Sequence, residues 1–345
     1  SDNYVQGFGL GITGDRLYRS TVSGNRCETQ NNSSKLCYEI LGTHNTITGN
    51  YGKPSADGSG LQMSSDDMSF NTITGNTFEH GTGDLIGIDI QARADVAVTA
   101  NTTNDDFTTG AAHDFRDGSR VIITHQSGSL PGGVTADRVY WVVNTTETTF
   151  QISETDGGAA VVLSTTGSNV YARYVIQGVT IQGNTIDTNY RGILLKRHLN
   201  GVMVTGNTLQ GPGYSDTTSI AIQLDTMTGS AVITGNRMFG FRYLVNCSSA
   251  AAQTYNDLIV MHNDFQGEDS FANPATTLSV SGSATLGSRI LHGQNNDSLT
   301  VQTYTLTNES EDRAFDADTV VVAELADVVA TRLKDLEAQG IVTTT

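Results

Sequence analysis

Lysine and proline are scarce in this 345-residue chain, at four each, and it has one tryptophan and three cysteines. No apolar run approaches the roughly 18 residues of a membrane-spanning helix, so no helical membrane span is expected, and no signal-like stretch opens the sequence. Cys27, Cys37 and Cys247 lack metal-ligand spacing and cannot all pair, which leaves buried thiols as the expectation. The 19 basic residues face 36 acidic ones, a net charge of −17 with no Lys/Arg-rich stripe to offset it. A phosphate backbone would be repelled, and no nucleic-acid or membrane partner is expected. Motifs that fix a reaction are missing too: GxSxG, HExxH, a P-loop and CxxC do not occur. Against these shortages stand 37 Gly, 24 Asn and 47 Thr. Such a surplus of turn-formers and β-favouring polar residues points to many short strands joined by tight turns and away from a helical bundle.

A repeat organises the chain. The segments VSGN, NTITGN, NTITGNTF, VAVTANTT, VTIQGNTI, VMVTGNTL, AVITGNRM and LIVMHNDF place asparagine at 25, 50, 76, 101, 184, 207, 236 and 263. The spacings are 25, 26, 25, 83, 23, 29 and 27, so one interval carries an insertion. Three residues before each Asn the side chain is always aliphatic: Val22, Ile47, Ile73, Val98, Ile181, Val204, Ile233 and Val260. Two residues after it the side chain is mostly apolar, as at Cys27, Phe78, Ile186, Leu209, Met238 and Phe265. Period-2 alternation inside a period of about 25 residues describes a solenoid whose coils stack like on like. A further strand sits earlier in each coil, in GLGIT, LCYEIL, GLQMS, IGIDIQ, GILLKR and IAIQLD. Glycine before the Asn supplies a left-handed bend, and the Asn side chain is expected to bond its own backbone at that turn.

These coils resemble the right-handed parallel β-helix of the pectate-lyase-like superfamily over roughly residues 7–297. Within it the chain is similar to bacteriophage tailspike and tail-fibre proteins, for two reasons. Residues 103–171, with AHDFRDGSRVIIT, GSLPGGVTADRVYWVV and TTETTFQISETDGGAAV, read as a small antiparallel β domain hung on one turn, like modules that interrupt phage tail proteins. Trp141, with Tyr140 and His113, could form a sugar-binding platform there or belong to that domain's core. The segment FDADTVVVAELADVVATRLKDLEAQGIV spaces Val322, Leu325, Val329, Leu333 and Leu336 as an amphipathic helix that must bury its stripe. Similar endings pack as threefold bundles; docking on its own solenoid is the alternative. The chain also opens directly in a coil, YVQGFGLGITG, without a cap, which implies a piece of a longer protein. The expected fold class is therefore all-β, a right-handed parallel β-helix with an inserted small antiparallel β domain and a short C-terminal helix. The expected divisions are coils over 1–102, the insertion over 103–171, further coils over 172–300 and a trimerising segment over 301–345.

The resemblance implies a saccharide laid along the solenoid face, so candidate chemistry follows from the outward residue of each earlier strand: Thr13, Glu39, Ser64, Asp89, Lys196 and Asp225. At strand spacing, Asp89 and Asp225 would stand roughly 9–10 Å apart, near the separation of an inverting glycosidase pair, with Glu39 as a further binding carboxylate. Asp66 and Asp67, in the adjoining turn, could approach Asp89 at the retaining distance. The alternative starts from NYRGILLKRHLNG, where Arg191, Lys196, Arg197 and His198 fall close together beside Tyr190. Elimination across an acidic sugar needs a cation for the carboxylate, a base for the C5 proton and an acid for the leaving oxygen. Lys196 or His198 could be the base, Tyr190 the acid, and Arg191 or Arg197 the neutraliser; a plain ion-pair ladder of Lys196 with Asp89 and Asp225 is the structural alternative.

The function expected from this resemblance is an extracellular polysaccharide depolymerase of a virion tail, acting as a homotrimer on an acidic glycan by lyase or glycoside hydrolase chemistry, with a lean to elimination. Two other readings are a non-catalytic glycan-binding tail fibre and a cellular β-helix uronan lyase or epimerase. No cofactor or metal is required; calcium held by the carboxylate column would be compatible, although no EF-hand-like loop is present.

Overall fold

The computed structural model describes residues 1–6, 10–29, 36–54, 57–65, 68–81, 83–213, 216, 218–225, 229–255, 258–261, 263–266, 276–286 and 291–293. Asp66, Asp67 and the expected C-terminal helix lie outside these residues. Among the described residues every regular element is a strand, and no helix is long and apolar enough to cross a membrane.

Three eight-stranded sheets run side by side along one axis, and all their strand pairs are parallel. One coil illustrates the rest. A long strand, Leu36–Thr43, is followed by Thr46–Thr48, a Gly49-Asn50 bend and Tyr51–Lys53. The Thr46–Thr48 strand stacks in register between Thr21–Ser23 and Thr72–Thr74, so Ile47 sits between Val22 and Ile73. This like-on-like stacking fills one continuous core with Ile47, Ile73, Phe78, Ile88, Ile181, Leu195, Leu224 and their equivalents. Each fully buried aliphatic or aromatic side chain of this kind contributes about 1.5–3 kcal/mol. Cys27, Cys37 and Cys247 are free thiols inside that core, as expected, and burial pushes Cys247 up to about 12.

The asparagine column does more than make a turn. Asn50 Oδ1 accepts from both the backbone N–H and the Nδ2 of Asn25, one coil away, at 3.0 and 2.9 Å. The pattern repeats from Asn50 to Asn76, Asn76 to Asn184, Asn184 to Asn207, Asn207 to Asn236 and Asn236 to Asn263. From Asn50 onward each Nδ2 also reaches a backbone carbonyl of the coil on the other side, as Asn184 does to Ile73 O at 3.0 Å. The local bond expected from the turn is present, for example from Asn184 Nδ2 to Gln182 O, but the main tie runs along the axis. Asn3 starts the ladder by bonding Asn25 Oδ1. Glycine precedes most of these asparagines with φ of 61–66°, the left-handed bend that sends the Asn amide inward.

Asn101 is not part of this ladder. Its strand, Val96–Asn101, pairs antiparallel with Asp106–Thr109 and with Ser168–Tyr174, in a closed six-stranded barrel. The segment VAVTAN shares the alternation of a coil but has Ala100 where most of the ladder's bends have glycine. The barrel strands thus span Val96 to Tyr174, a wider stretch than 103–171. Its core is aromatic: Phe115 stacks on Tyr174 at 4.2 Å between ring centroids and packs on Phe150 at 4.8 Å. Across the insertion the solenoid is unbroken, since Leu85–Ala92 pairs with Arg191–Lys196 and Thr72–Thr74 with Thr180–Gln182.

Candidate functional site

The long strands carry the outward column that was expected to hold the chemistry, and they divide it in two. Thr13, Glu39, Gln62, Asp89, Leu194, Gln223 and Asn246 are successive register partners. Ser64, Gln91, Lys196, Asp225 and Ser248 form a second column two residues further along. The expected single column therefore mixed two rows. The slip arose because the strands differ in length and nothing in the sequence marks their start. Asp89 and Asp225 are two coils and two residues apart, about 12 Å by strand geometry, beyond the spacing of a two-carboxylate glycosidase.

Asp89 is 2% exposed although it points away from the core. Gln91 Nε2 caps both its oxygens at 2.8 and 2.7 Å, and Gln62 Nε2 donates at 3.1 Å. Burial raises its pKa, and the two amides with the charges of Lys196 and Arg191 only partly offset the rise. Lys196 pairs with Asp225 at 3.3 Å, so that half of the expected ion-pair ladder is formed, while Asp89 feels Lys196 only through space. Arg191 stacks over the Tyr190 ring at 4.2 Å, and its buried Nε has no hydrogen-bond partner. Glu39 is half-buried in the first column. In the barrel, His113 and Tyr140 are core residues rather than a sugar platform. His113 donates from Nε2 to Thr149 O and accepts from Phe115 N–H at Nδ1, and Tyr140 Oη accepts from Thr135 N–H. Trp141 takes the opposite parity, half-buried on the barrel's outer face opposite Arg120.

A different convergence forms where the barrel leaves the solenoid. The strand Arg191–Lys196 ends because Arg197 takes a left-handed φ of 70°, and a tight turn closes from Leu199 N–H to Arg197 O. That reversal cancels the alternation that would have separated Arg197 from His198. Arg197 Nη1 then donates to Ala92 O at 2.7 Å, at the last residue before the insertion departs. On return, Ile176 N–H donates to His198 O. Asp95, just before the first barrel strand, and Arg173, within the last, pair through Nε and Nη2, and His198 Nε2 reaches Asp95 Oδ1 at 2.9 Å. Together Ala94, Asp95, Gln126, Tyr171, Arg173, Arg197 and His198 line a cavity of about 400 Å³.

The electrostatics of this cavity follow from its burial. Burial alone would raise Asp95, but hydrogen bonds from His198 and Arg173 and the Arg173 charge prevail and hold it down to about 2. Burial lowers His198, and the neighbouring Arg173 and Arg197 charges add to this against the opposing pull of Asp95. The hydrogen bond to Asp95 places the proton of a neutral imidazole on Nε2 and fixes the ring's orientation. Two guanidiniums and a neutral imidazole thus face one cavity in a chain of net charge −17. Sequence reasoning found Arg197 and His198 but missed Asp95, Arg173, Tyr171 and Gln126. The available signal was position, since the junctions of an insertion bring its first and last residues to one place. Among the described residues, no cluster of three or more His, Cys, Asp or Glu is arranged to hold a metal ion.

The chain matches no protein-family model and no curated protein. Among solved structures it is similar to the tailspike gp61 of Pseudomonas phage phi297, with 15% identity over 72% of this chain and a TM-score of 0.31. It spans about half of that tailspike, 49% of its chain. It is also similar to an alginate lyase from Paenibacillus sp. str. FPU-7, with 11% identity over 81% of this chain and 91% of that one, at a TM-score of 0.29. The parallel β-helix itself is established by the strand order, in which each strand of a sheet pairs with its counterpart from the next coil.

Proposed function

We propose that this chain is the body of an extracellular tail-type protein that degrades an acidic polysaccharide by β-elimination at the barrel–solenoid junction. The observation that carries this reading is the cavity where Arg173, Arg197 and His198 converge with Tyr171. A uronate carboxylate seated against Arg197 and Arg173 would be neutralised, which acidifies the proton on C5. His198, held by Asp95 through Nε2, takes that proton. The C5–H electrons become the C4–C5 double bond, the C4–O4 bond breaks, and the leaving oxygen takes a proton from Tyr171. Tyr171 replaces Tyr190 in this role because Tyr190 does not line the cavity and is engaged with Arg191. The column at Lys196 and Asp225 then serves as ground along which the chain lies. A homotrimer on a virion tail belongs to the same reading; a monomer in light scattering, unaffected by deletion of residues 312–345, would remove it.

The test is incubation with alginate, polygalacturonate, hyaluronan and dextran, following absorbance near 235 nm and reducing ends together. Rising absorbance on an acidic polymer is the expected result, with at least a hundred-fold loss of kcat in His198→Asn and Arg197→Ala. Reducing ends without absorbance would replace elimination by hydrolysis. Neither signal, with glycan still bound, would leave a non-catalytic fibre.

A further inference from the structure

One corner of the solenoid sets large side chains in the left-handed conformation that the asparagine bends mostly give to glycine. Arg19, His44, Phe70, Gly178 and Gly201 occupy the same place in successive coils, each N–H bonding the carbonyl that precedes the next member. All five are left-handed, with φ of 48, 58, 59, 64 and 66°. Glycine adopts that conformation without strain, whereas Arg, His and Phe do not. Three consecutive coils therefore hold large side chains where the two that follow use glycine. Backbone strain kept in a repeated position, when the repeat offers a relaxed alternative, directs attention to what the side chains do.

What they build is an exposed aromatic strip. Tyr18 meets His44 edge-on at 5.6 Å between centroids, and His44 meets Phe70 at 4.9 Å. Tyr18 is 58% and Phe70 40% exposed, so these rings are not completing a core. Single exposed aromatics are ordinary, but a contiguous row along the axis is not. Arginine frames it: Arg19 lies over Tyr18 at 5.0 Å, and Arg120 of the barrel lies over Phe70 at 4.7 Å. Arg120 in turn is the cross-strand partner of outward-facing Trp141. Beside the strip, Tyr18, Thr43, Arg16 and Arg116 border a second cavity of about 290 Å³. Its two carboxylates are engaged nearby, Asp15 with Arg16 and Asp117 with the N–H and hydroxyl of Thr145.

We infer that this strip is a binding site for an acidic polysaccharide chain, separate from the junction cavity and resting on the glycan reading proposed above. Pyranose C–H faces lie on the rings of Tyr18, His44 and Phe70, and the guanidiniums of Arg16, Arg19 and Arg120 meet the carboxylates. A neutral glycan would lose the second contribution.

Native gel electrophoresis through alginate, polygalacturonate, hyaluronan or dextran, with a single-stranded oligonucleotide as competitor, tests the strip on the whole chain. At least one acidic polymer should retard the protein, and dextran should not. Phe70→Gly relieves the backbone strain, so its Tm should hold or rise, and together with Tyr18→Ala it should weaken retardation about ten-fold. A ring that merely supported the fold would lower Tm instead. Unchanged retardation in the double variant, retardation by no acidic polymer, or displacement by the oligonucleotide at equal charge would overturn the inference. Elimination is read in parallel on the wild-type chain. Retardation lost in the variant, with no elimination by the wild type, leaves the strip standing and removes the catalytic reading; elimination with retardation unchanged in the variant does the reverse.

Discussion

The solenoid and the barrel are built from the same kind of strand and held by opposite means. In the solenoid every strand pairs with its own counterpart one coil away, and an amide ladder, buried from Asn25 to Asn263, ties the coils along one line. In the barrel, strands from distant places close on each other around Phe107, Phe115, Phe150 and Tyr174. The first arrangement is stabilised by repetition and is only as strong as each interface. The second has no repeat and no open edge, and depends on one packed centre.

The comparison can be broken most sharply at the ladder. Asn184→Ala removes the acceptor used by Asn76 N–H and Nδ2 and the donor used by Ile73 O and Asn207 Oδ1, all in the interior. Leaving those groups unsatisfied should cost about 5 kcal/mol and unfold neighbouring coils, measured by denaturant titration. Phe150→Ala should cost about 4 kcal/mol, but the loss should stay in the barrel and split a thermal melt into two transitions. A single cooperative loss would show that the two regions share one stability.

The seam between them should loosen in acid. Asp95 is held below the ordinary carboxylate value, so its stabilisation is complete above pH 4 and lost as pH falls toward 2. His198 is lowered too, so protonation favours the unfolded chain and stability begins to fall as pH drops below 6.5. Both act in the same direction, and Asp95→Asn with His198→Asn should flatten the melting temperature between pH 7 and 3. The smallest effect is expected at Asp89, whose raised pKa means that the carboxylate is disfavoured above its folded value. Asp89→Asn should raise the Tm slightly at pH 7 and leave it unchanged at pH 3.

Legibility divides along the same line. The coils could be read because Ile47, Ile73 and Ile181 recur at one offset from an asparagine, and stacking rewards that recurrence directly. Asn101 was misread because alternation is common to every half-buried strand, and the missing glycine is no sure mark, since His262 precedes Asn263 in the ladder. Facing was legible along a strand, yet register between strands was not, since a shift of two residues preserves every in-and-out assignment while moving Lys196 away from Asp89. Arg197 and His198 stood out by charge in an acidic chain. Asp95 and Arg173 are distant in sequence and ordinary in kind, and only closure of the barrel, with Val96 opposite Ala172, brings them together.

That closure also decides how the molecule would carry force. Strand hydrogen bonds lie along the solenoid axis, so a pull along that axis is shared by all three sheets and the amide ladder at each interface. The barrel enters and leaves the chain at one point, which makes it a side branch that axial tension bypasses. A structure of this design could be loaded end to end while its junction cavity kept its geometry.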